Sequence, residues 1–182
     1  MLGDFKPTIL FLAKFLGLYL GLNLLYGAYI DSYSPKPDPI TRVVSHNTIW
    51  LLEAINYDIS YEDDGRKPAI NLIKDDQVNI LSVYEGCNGC NIMIIFVSFL
   101  LAFTQKFDIR WFKYLILGIV IVYVSNLLRI AGLFLIAERA PHLMYFMHKY
   151  LFTGLLYLII FAIWYLWVAG SRSKKVEHAE QE

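Results

Sequence analysis

Two cysteines, Cys87 and Cys90, lie in "YEGCNGCNIMIIFVSFLLAF", directly before a long apolar run. A thiolate is a strong nucleophile, but a free thiol with a pKa near ~8.5 needs help to ionise at neutral pH. Arg129 lies inside the apolar stretch "SNLLRIAGLF" and His148 lies in "MHKYLFTG". Histidine is the usual general base for cysteine and later protonates a leaving amine. Arginine stays protonated and can stabilise a thiolate or an oxyanion. The residue types therefore predict a cysteine nucleophile at Cys87.

Each of these residues also has a structural explanation. Cys87 alone is compatible with an inert, small apolar residue, and Cys90, one turn deeper, with a packing residue. Arg129 can serve as an ion-pair partner and His148 as a residue of a wet membrane interface, and His142 competes with His148 for the role of base. If the functional interpretation holds, positive charge from imidazolium, guanidinium and a helix N-terminus predicts a lowered pKa for Cys87.

The composition predicts a membrane protein. Of the 182 residues 57% are hydrophobic, and the mean hydropathy is +0.48. The formal net charge is zero, so the overall charge does not favour a nucleic-acid partner. About 20 helical residues cross a hydrocarbon core of ~30 Å. Four apolar blocks qualify as spans: 8–30, 90–103 with the residues back to Cys87, 111–137 and 151–169.

The charges predict the orientation of these spans. Segment 31–86 carries ten acidic and five basic residues, whereas basic residues flank the other span ends. The flanking bases are Lys6, Lys106, Arg110, Lys113, Arg172, Lys174 and Lys175. Positive charge close to span ends marks the cytoplasmic side. We therefore expect both termini in the cytoplasm and segment 31–86 outside.

Segment 31–86 is expected to form a small cap. Residues 43–55 have the pattern of a short amphipathic helix at the membrane surface. Runs 57–61, 69–73 and 78–83 are β-prone and separated by turn-like residues, which predicts an antiparallel sheet that leads into the cysteine segment. The predicted fold is thus an all-α integral membrane protein with four transmembrane helices and a small extracytoplasmic cap. Its parts are an N-terminal helix (1–30), the cap (31–86), a three-helix core (87–170) and a cytoplasmic tail (171–182).

The chemistry-bearing residues are expected at one depth. Arg129 lies eight residues before Ala137, which places it about 12 Å inside the span at ~1.5 Å per residue. A buried arginine costs at least ~2.5 kcal/mol on insertion scales unless it faces protein or water. Asn126, three residues earlier, shares its helix face. The orientation brings Cys87, Arg129 and His148 near the outer leaflet.

Taken together, "EGCNG" opening a span, "NLLRI" in the next and a histidine leading into the last resemble the exosortase and archaeosortase family. The arrangement is most similar to the short F-type exosortases of Bacteroidota, over residues 83–167. The resemblance implies an integral-membrane cysteine peptidase or transpeptidase without cofactor or metal. It implies Cys87 as nucleophile, Arg129 as stabilising charge and His148 as general acid and base. The supporting polar residues around them would be Glu85, Asn88, Cys90 and Asn126.

The resemblance also implies a substrate and a location. Such enzymes act on exported proteins that end in a short motif, a transmembrane helix and a basic cluster, within the lipid of the bacterial inner membrane. Many bacterial members have more than four spans, so this chain is similar to a minimal version.

Two other classes stay open from sequence. Cys87-x-x-Cys90 has the spacing of a thiol–disulfide oxidoreductase, although quinone-linked enzymes of that type need a second cysteine pair. A non-catalytic membrane adaptor is the third class, and it leaves a buried Arg129 without a reason. A disulfide between the two cysteines, with Arg129 elsewhere, would favour the redox class.

Overall fold

The computed structural model describes residues 2–75, 78–104 and 108–179, and side chains between residues 5 and 168 of those ranges. The long helices are α1 (Leu2–Asp31), α2 (Pro39–Glu53), α3 (Cys90–Phe103), α4 (Ile109–Arg139) and α6 (Phe152–Ala179). Between α4 and α6 the chain forms a 3-10 turn (Pro141–Leu143), one helical turn α5 (Met144–Phe146) and a π-helical segment (Met147–Leu151). The strands are β1 (Ile59–Asp63), β2 (Ala69–Lys74) and β3 (Val78–Tyr84).

Three helical segments are long and apolar enough to span a membrane: Phe5–Asp31, Ile109–Arg139 and Pro141–Val168. They correspond to three of the four predicted spans and identify the chain as a membrane protein. The remaining predicted span is α3, which has 14 residues. At 1.5 Å per residue it is about 21 Å long, shorter than the ~30 Å hydrocarbon core. The last helical span begins at Pro141, before the predicted residue 151, so that His148 lies within the span rather than before it.

The predicted sheet is confirmed as a three-stranded antiparallel sheet in the order β1–β2–β3. The predicted helix in residues 43–55 is also confirmed, as α2. Asp38 caps its N-terminus, with Oδ1 accepting the N–H groups of Ile40 and Thr41. Val44 is buried in the core, whereas Trp50 is 69% exposed. The apolar residues expected on one membrane-facing side are therefore divided between two sides of α2.

In the described part of the chain, the buried apolar residues form two cores. One lies between a sheet face, α2 and the C-terminal half of α4, and its members include Leu52, Ile70, Val83 and Phe134. The other lies between α3, α4 and α6, and its members are Phe96, Leu100, Trp111, Val122, Ile160 and Ile163. Helix α1 packs on α3 through edge-to-face contacts of Phe11 and Phe15 with Phe99.

Polar contacts hold the sheet at one end of the helix bundle. Lys74 of β2 forms an ion pair with Glu138, and Arg139 donates to the hydroxyl of Tyr57 at 2.7 Å. Near the end of α1, the Tyr26 hydroxyl contacts the residues that precede α3. The C-terminal ends of α1 and α4 and the N-terminal end of α3 therefore lie together beside the sheet.

Candidate active site

The segment "YEGCNG" links β3 to α3, and its residue types explain its shape. Tyr84 ends β3, and Glu85–Cys87 form a 3-10 turn. A Cβ on Gly86 would lie 2.5 Å from Cε2 of Tyr84, so the absent side chain lets the ring lie against the backbone. Gly89 caps α3 with φ +85, a left-handed conformation that other L-residues adopt at a cost. The turn thus leaves Cys87 just outside α3, only 6% exposed.

Asn88 ties this turn to three helices. Its Nδ2 donates to the hydroxyl of Tyr26 at 2.7 Å and to Oγ1 of Thr41 at 3.0 Å. Its Oδ1 accepts the N–H of Cys90 at 3.0 Å, which satisfies one of the free donors at the start of α3. Because Asn88 is fully buried, these bonds also meet the requirement that a buried amide be paired. Asn88 therefore positions the turn.

Asn126 and Arg129 approach the turn from α4. The Nδ2 of Asn126 donates to the carbonyl oxygen of Cys87 at 2.9 Å, and its Oδ1 accepts from Arg129 Nη1 at 3.4 Å. Arg129 is 6% exposed and Asn126 is fully buried. In the described part of the chain, no carboxylate forms an ion pair with Arg129 and its Nε has no hydrogen-bond partner. The shared helix face predicted for Asn126 and Arg129 is thus observed.

His148 reaches the same place from the π-helical segment. Its Nε2 lies 3.6 Å from Cys87 Sγ and 3.3 Å from Arg129 Nη2. Arginine can only donate, so a hydrogen bond from Nη2 would use the single lone pair of Nε2, which is also the ring nitrogen nearest the thiol. Thr153 Oγ1 donates to the carbonyl oxygen of His148 at 2.9 Å, inside the widened turn. The structure therefore brings Cys87, Arg129 and His148 together, with Nε2 of the histidine facing both the thiol and the guanidinium.

The competing residues lie elsewhere. His142 is exposed in the 3-10 turn. Cys90 is a free thiol, as is Cys87, and it lies beside the Tyr26 hydroxyl instead of the histidine. Glu85 has a buried carboxylate oxygen without a partner among the described residues, and its carbonyl oxygen accepts from Tyr26 at 3.4 Å. The two cysteines thus have different surroundings, and Arg129 is at the site, which is the arrangement expected for a nucleophile rather than a redox pair.

The electrostatics of Cys87 differ from the sequence prediction. Burial raises the pKa of the Cys87 thiol above its ordinary value, although Arg129 and a hydrogen bond from the Tyr84 hydroxyl both favour the thiolate. The nearby Glu85 charge also raises it. The prediction of a lowered pKa is therefore wrong for this site, because desolvation exceeds the attraction of the positive charge. Cys87 rests as a thiol whose proton must be transferred when it attacks.

An open space lies directly above the thiol. A cavity of about 200 Å³ is lined by four consecutive β3 residues (Leu81, Ser82, Val83 and Tyr84), by Cys87 and His148, and by the apolar side chains of Ile130, Leu133 and Met144. Arg129 is not among the lining residues, and it contacts the site through His148 and Asn126. The cavity is therefore lined by the Cys87 thiol, the His148 ring and one tyrosine.

Tyr84 is the residue that sequence reasoning missed. It is 44% exposed, lines the cavity and can hydrogen-bond to the Cys87 thiolate. Its own pKa is raised, chiefly by the negative charge of Cys87 and then by burial, so its hydroxyl stays protonated and can donate. Its position three residues before the cysteine, at the end of a predicted strand, was the available signal. Tyr26 and Thr41 were missed as well, since nothing local relates them to Asn88.

These groups can carry out acyl transfer. The site has a nucleophile, an adjacent base, a positive charge near both, and a hydroxyl donor facing the cavity. Within the described ranges, no three His, Cys, Asp or Glu side chains are grouped so that they could hold a metal ion.

The comparison with known families agrees with this chemistry. The family model described as transmembrane exosortase matches residues 5–168. No curated protein and no solved structure matches the chain.

Proposed function

We propose, since the chain belongs to the transmembrane exosortase family, that it is a membrane cysteine peptidase or transpeptidase. Its substrates would be exported proteins whose C-terminal sorting signal it removes. The observation that carries the proposal is the contact of Cys87 Sγ with His148 Nε2 at 3.6 Å, at the base of an open cavity. The closer assignment to the F-type exosortases of Bacteroidota stays a prediction from the sequence.

In the proposed reaction, Cys87 attacks a peptide carbonyl while its proton passes to His148 Nε2. The resulting oxyanion collapses, the C–N bond breaks, and His148 returns the proton to the leaving amine. The acyl group then remains on Cys87 as a thioester. Water or an acceptor amine attacks the thioester with His148 as base and regenerates the thiol. Because burial raises the pKa of Cys87, the thiol is the resting form and His148 must accept its proton for the attack.

Two groups would stabilise the negative charge. Arg129 contributes a buried positive charge near the thiolate and oxyanion, and its contact with His148 Nε2 orients the ring. Tyr84 reaches the cavity and is the candidate for a direct hydrogen bond to the oxyanion. One donor of this kind contributes roughly 10²–10³-fold to rate in other acyl-transfer enzymes.

The proposed topology has four membrane passes with both termini in the cytoplasm. Support comes from chain direction, because α4 ends beside the sheet and therefore begins at the opposite end of the bundle. The link between Phe103 and Ile109 is short, so α3 must bring the chain back to that opposite end. The predicted flanking bases Arg110 and Lys113 then lie at the cytoplasmic end. Lys106 lies outside the described residues, as do the side chains of Arg172, Lys174 and Lys175.

In this topology the sheet and α2 form the extracytoplasmic cap, and the thiol lies near the periplasmic face of a bacterial inner membrane. A substrate with a transmembrane helix would enter from the lipid, with its basic cluster in the cytoplasm. The partners implied are therefore such exported proteins and the surrounding lipid.

The proposed reaction predicts a covalent intermediate that can be trapped. Full-length protein would be expressed in its own cell background, quenched in acid and mapped by mass spectrometry for an acyl group on Cys87. We expect a thioester-linked polypeptide that hydroxylamine releases, and none in Cys87→Ala. A reproducible absence of any hydroxylamine-sensitive adduct during active export would contradict the proposal.

His148 and His142 can be separated as candidate bases. Because only His148 contacts the thiol, we expect His148→Ala to slow acylation by roughly 10²–10⁴-fold, the usual contribution of general-base catalysis. His142→Ala is the matched control and should retain the wild-type rate. The measurement is the appearance of the Cys87 adduct over time, and the reverse pattern would assign the base to His142.

A further inference from the structure

Strand β3 has a free edge beside the cavity. It is an outer strand of the sheet, and in the described part of the chain no backbone hydrogen bond joins it to any segment besides β2. Unpaired strand edges are templates for another extended chain. Four consecutive residues of β3 line the cavity that contains the thiol, so this edge and the candidate active site are continuous.

The sheet register shows which backbone groups of β3 point outward. Asp64 donates its N–H to the carbonyl oxygen of Ala69 at 2.9 Å. The backbone N–H and C=O groups of Ala69 and of every second residue after it in β2 therefore point toward β1. The direction of the backbone hydrogen bonds alternates along an antiparallel strand. The backbone groups of Ile70 and Leu72 therefore point toward β3, where their partners in the register are Val83 and Leu81.

Ser82 and Tyr84 therefore turn their N–H and C=O groups away from β2. The opposed side chains of Ser82 and Asn71 are bonded at 2.6 Å, as expected for the closer, non-hydrogen-bonded type of pair. Both outward-facing residues belong to the cavity lining. The backbone groups needed to bind another strand are thus present within five residues of Cys87.

The lining of the cavity fits an extended occupant. Four consecutive residues of β3 form one wall, and the apolar side chains of Ile130, Leu133 and Met144 contribute to the rest. A chain paired with β3 would present alternate side chains to that apolar surface.

We propose that the substrate segment around the scissile bond binds as an added β-strand on the free edge of β3, with its backbone paired to Ser82 and Tyr84. This inference rests on the proposed function, since it identifies how that site binds its peptide. The added strand runs parallel to β3, because both chains then continue in the same direction into a membrane helix. After β3 that helix is α3, and after the substrate segment it is the transmembrane helix of the substrate. Recognition through main-chain hydrogen bonds selects an unfolded segment, and the apolar wall selects small apolar side chains at alternate positions.

The test uses full-length protein in lipid nanodiscs and a peptide electrophile. The probe is acetyl-Val-Ala-Val-Ala chloromethyl ketone. Its chloromethyl carbon forms a bond with the Cys87 sulfur as chloride leaves. A series of analogues has one backbone nitrogen methylated at each successive position. Labelling rates at Cys87 are measured by peptide mapping and divided by the iodoacetamide rate. We expect a loss of about tenfold at alternate nitrogens only, as for one lost hydrogen bond.

A matched pair of variants tests the edge itself. Ser82→Pro removes an outward N–H from β3, and Tyr61→Pro removes one from the opposite sheet edge, since Tyr61 faces away from β2 by the same alternation. The peptide-labelling rate of each variant is divided by its own iodoacetamide rate, and only Ser82→Pro should lower this ratio. Equal rates across the methylated series, or equal losses in the two variants, would overturn the strand site. Those results would leave a trapped acyl-enzyme standing, so failure of this inference is distinguishable from failure of the proposed function.

Discussion

Gly89→Ala tests whether the backbone of the turn positions the nucleophile. Gly89 has φ +85, and a Cβ there would lie 3.0 Å from Cγ and 3.1 Å from Nδ2 of Asn126. Asn126 holds the carbonyl oxygen of Cys87 at 2.9 Å and also contacts Arg129. A single methyl group therefore perturbs the contacts of two residues of the site.

The magnitude has two parts. Placing an alanine in the left-handed region costs roughly 1–2 kcal/mol. Relief of the contact requires Asn126 to move by a few tenths of an ångström, which weakens a buried hydrogen bond whose complete loss costs about 1–3 kcal/mol. We expect the free energy of unfolding to fall by roughly 2–4 kcal/mol. Since a 1 Å misplacement costs about 10²-fold in catalysis, this smaller shift should slow acylation about tenfold.

The assay combines a denaturation midpoint in detergent with the rate of acyl adduct formation on Cys87. Gly154→Ala is the matched control, because a Cβ at Gly154 meets nothing within 4 Å and its φ is not positive. Alanine also has the higher helix propensity, so that variant should be neutral or slightly stabilising. A further comparison uses Asn126→Ala, which removes the two closest contact atoms. In that background Gly89→Ala should cost only the backbone part, so the two changes should be non-additive.

Two results would refute this reasoning. If Gly89→Ala matched Gly154→Ala in both midpoint and rate, the turn would not need a left-handed residue. If the effects of Gly89→Ala and Asn126→Ala were strictly additive, the clash between them would not be the cause of the loss.

Three further predictions concern the reacting groups. Cys87→Ala should abolish adduct formation and processing while Cys90→Ala retains most of it, because only Cys87 lines the cavity; a folded but inactive Cys90→Ala protein would contradict this. Arg129→Lys should fail in the same assay, since the planar guanidinium contacts both a histidine and an asparagine and an ammonium lacks that fork; wild-type rates would show that charge alone suffices. Tyr84→Phe should move the midpoint of a rate-versus-pH curve for iodoacetamide labelling of Cys87 to higher pH. In the wild type the Tyr84 hydroxyl favours the thiolate, so its removal should raise further the pKa of a thiol that burial has already raised. A shift to lower pH would mean that the hydroxyl favours the neutral thiol.

The length of the α3 helix and its position in the bundle lead to different conclusions about whether it is a membrane span. By length it falls short of a span, and its 14 residues follow a turn that is bonded to α1, α2 and α4. Its packing against α1 and α4 encloses it in the bundle. A short apolar helix can therefore be packed into a helix bundle even though its length alone does not identify it as a membrane span.

Local patterns in the sequence predicted the apolar helices and the sheet, and they indicated which residues are candidates for the reaction. Hydrophobic runs and β-prone runs separated by turns are local patterns, so they predicted α1, α4, α6 and the three strands. An arginine within an apolar run is conspicuous for a physical reason: burial of its charge is costly. The same patterns pointed to Cys87 and His148 because few residue types can act as nucleophile and base.

The tertiary structure decided what depends on distance between segments. The widened π-helical turn brings His148 to Cys87, and no local pattern distinguishes it from a regular helix. The pKa of Cys87 depends on how much water the surrounding helices exclude, so the residue types alone predicted the wrong direction. Tyr84 and the free edge of β3 became visible only when the register placed their polar groups at the cavity. Local sequence determines which groups exist, whereas desolvation and contact depend on segments that are far apart in the chain.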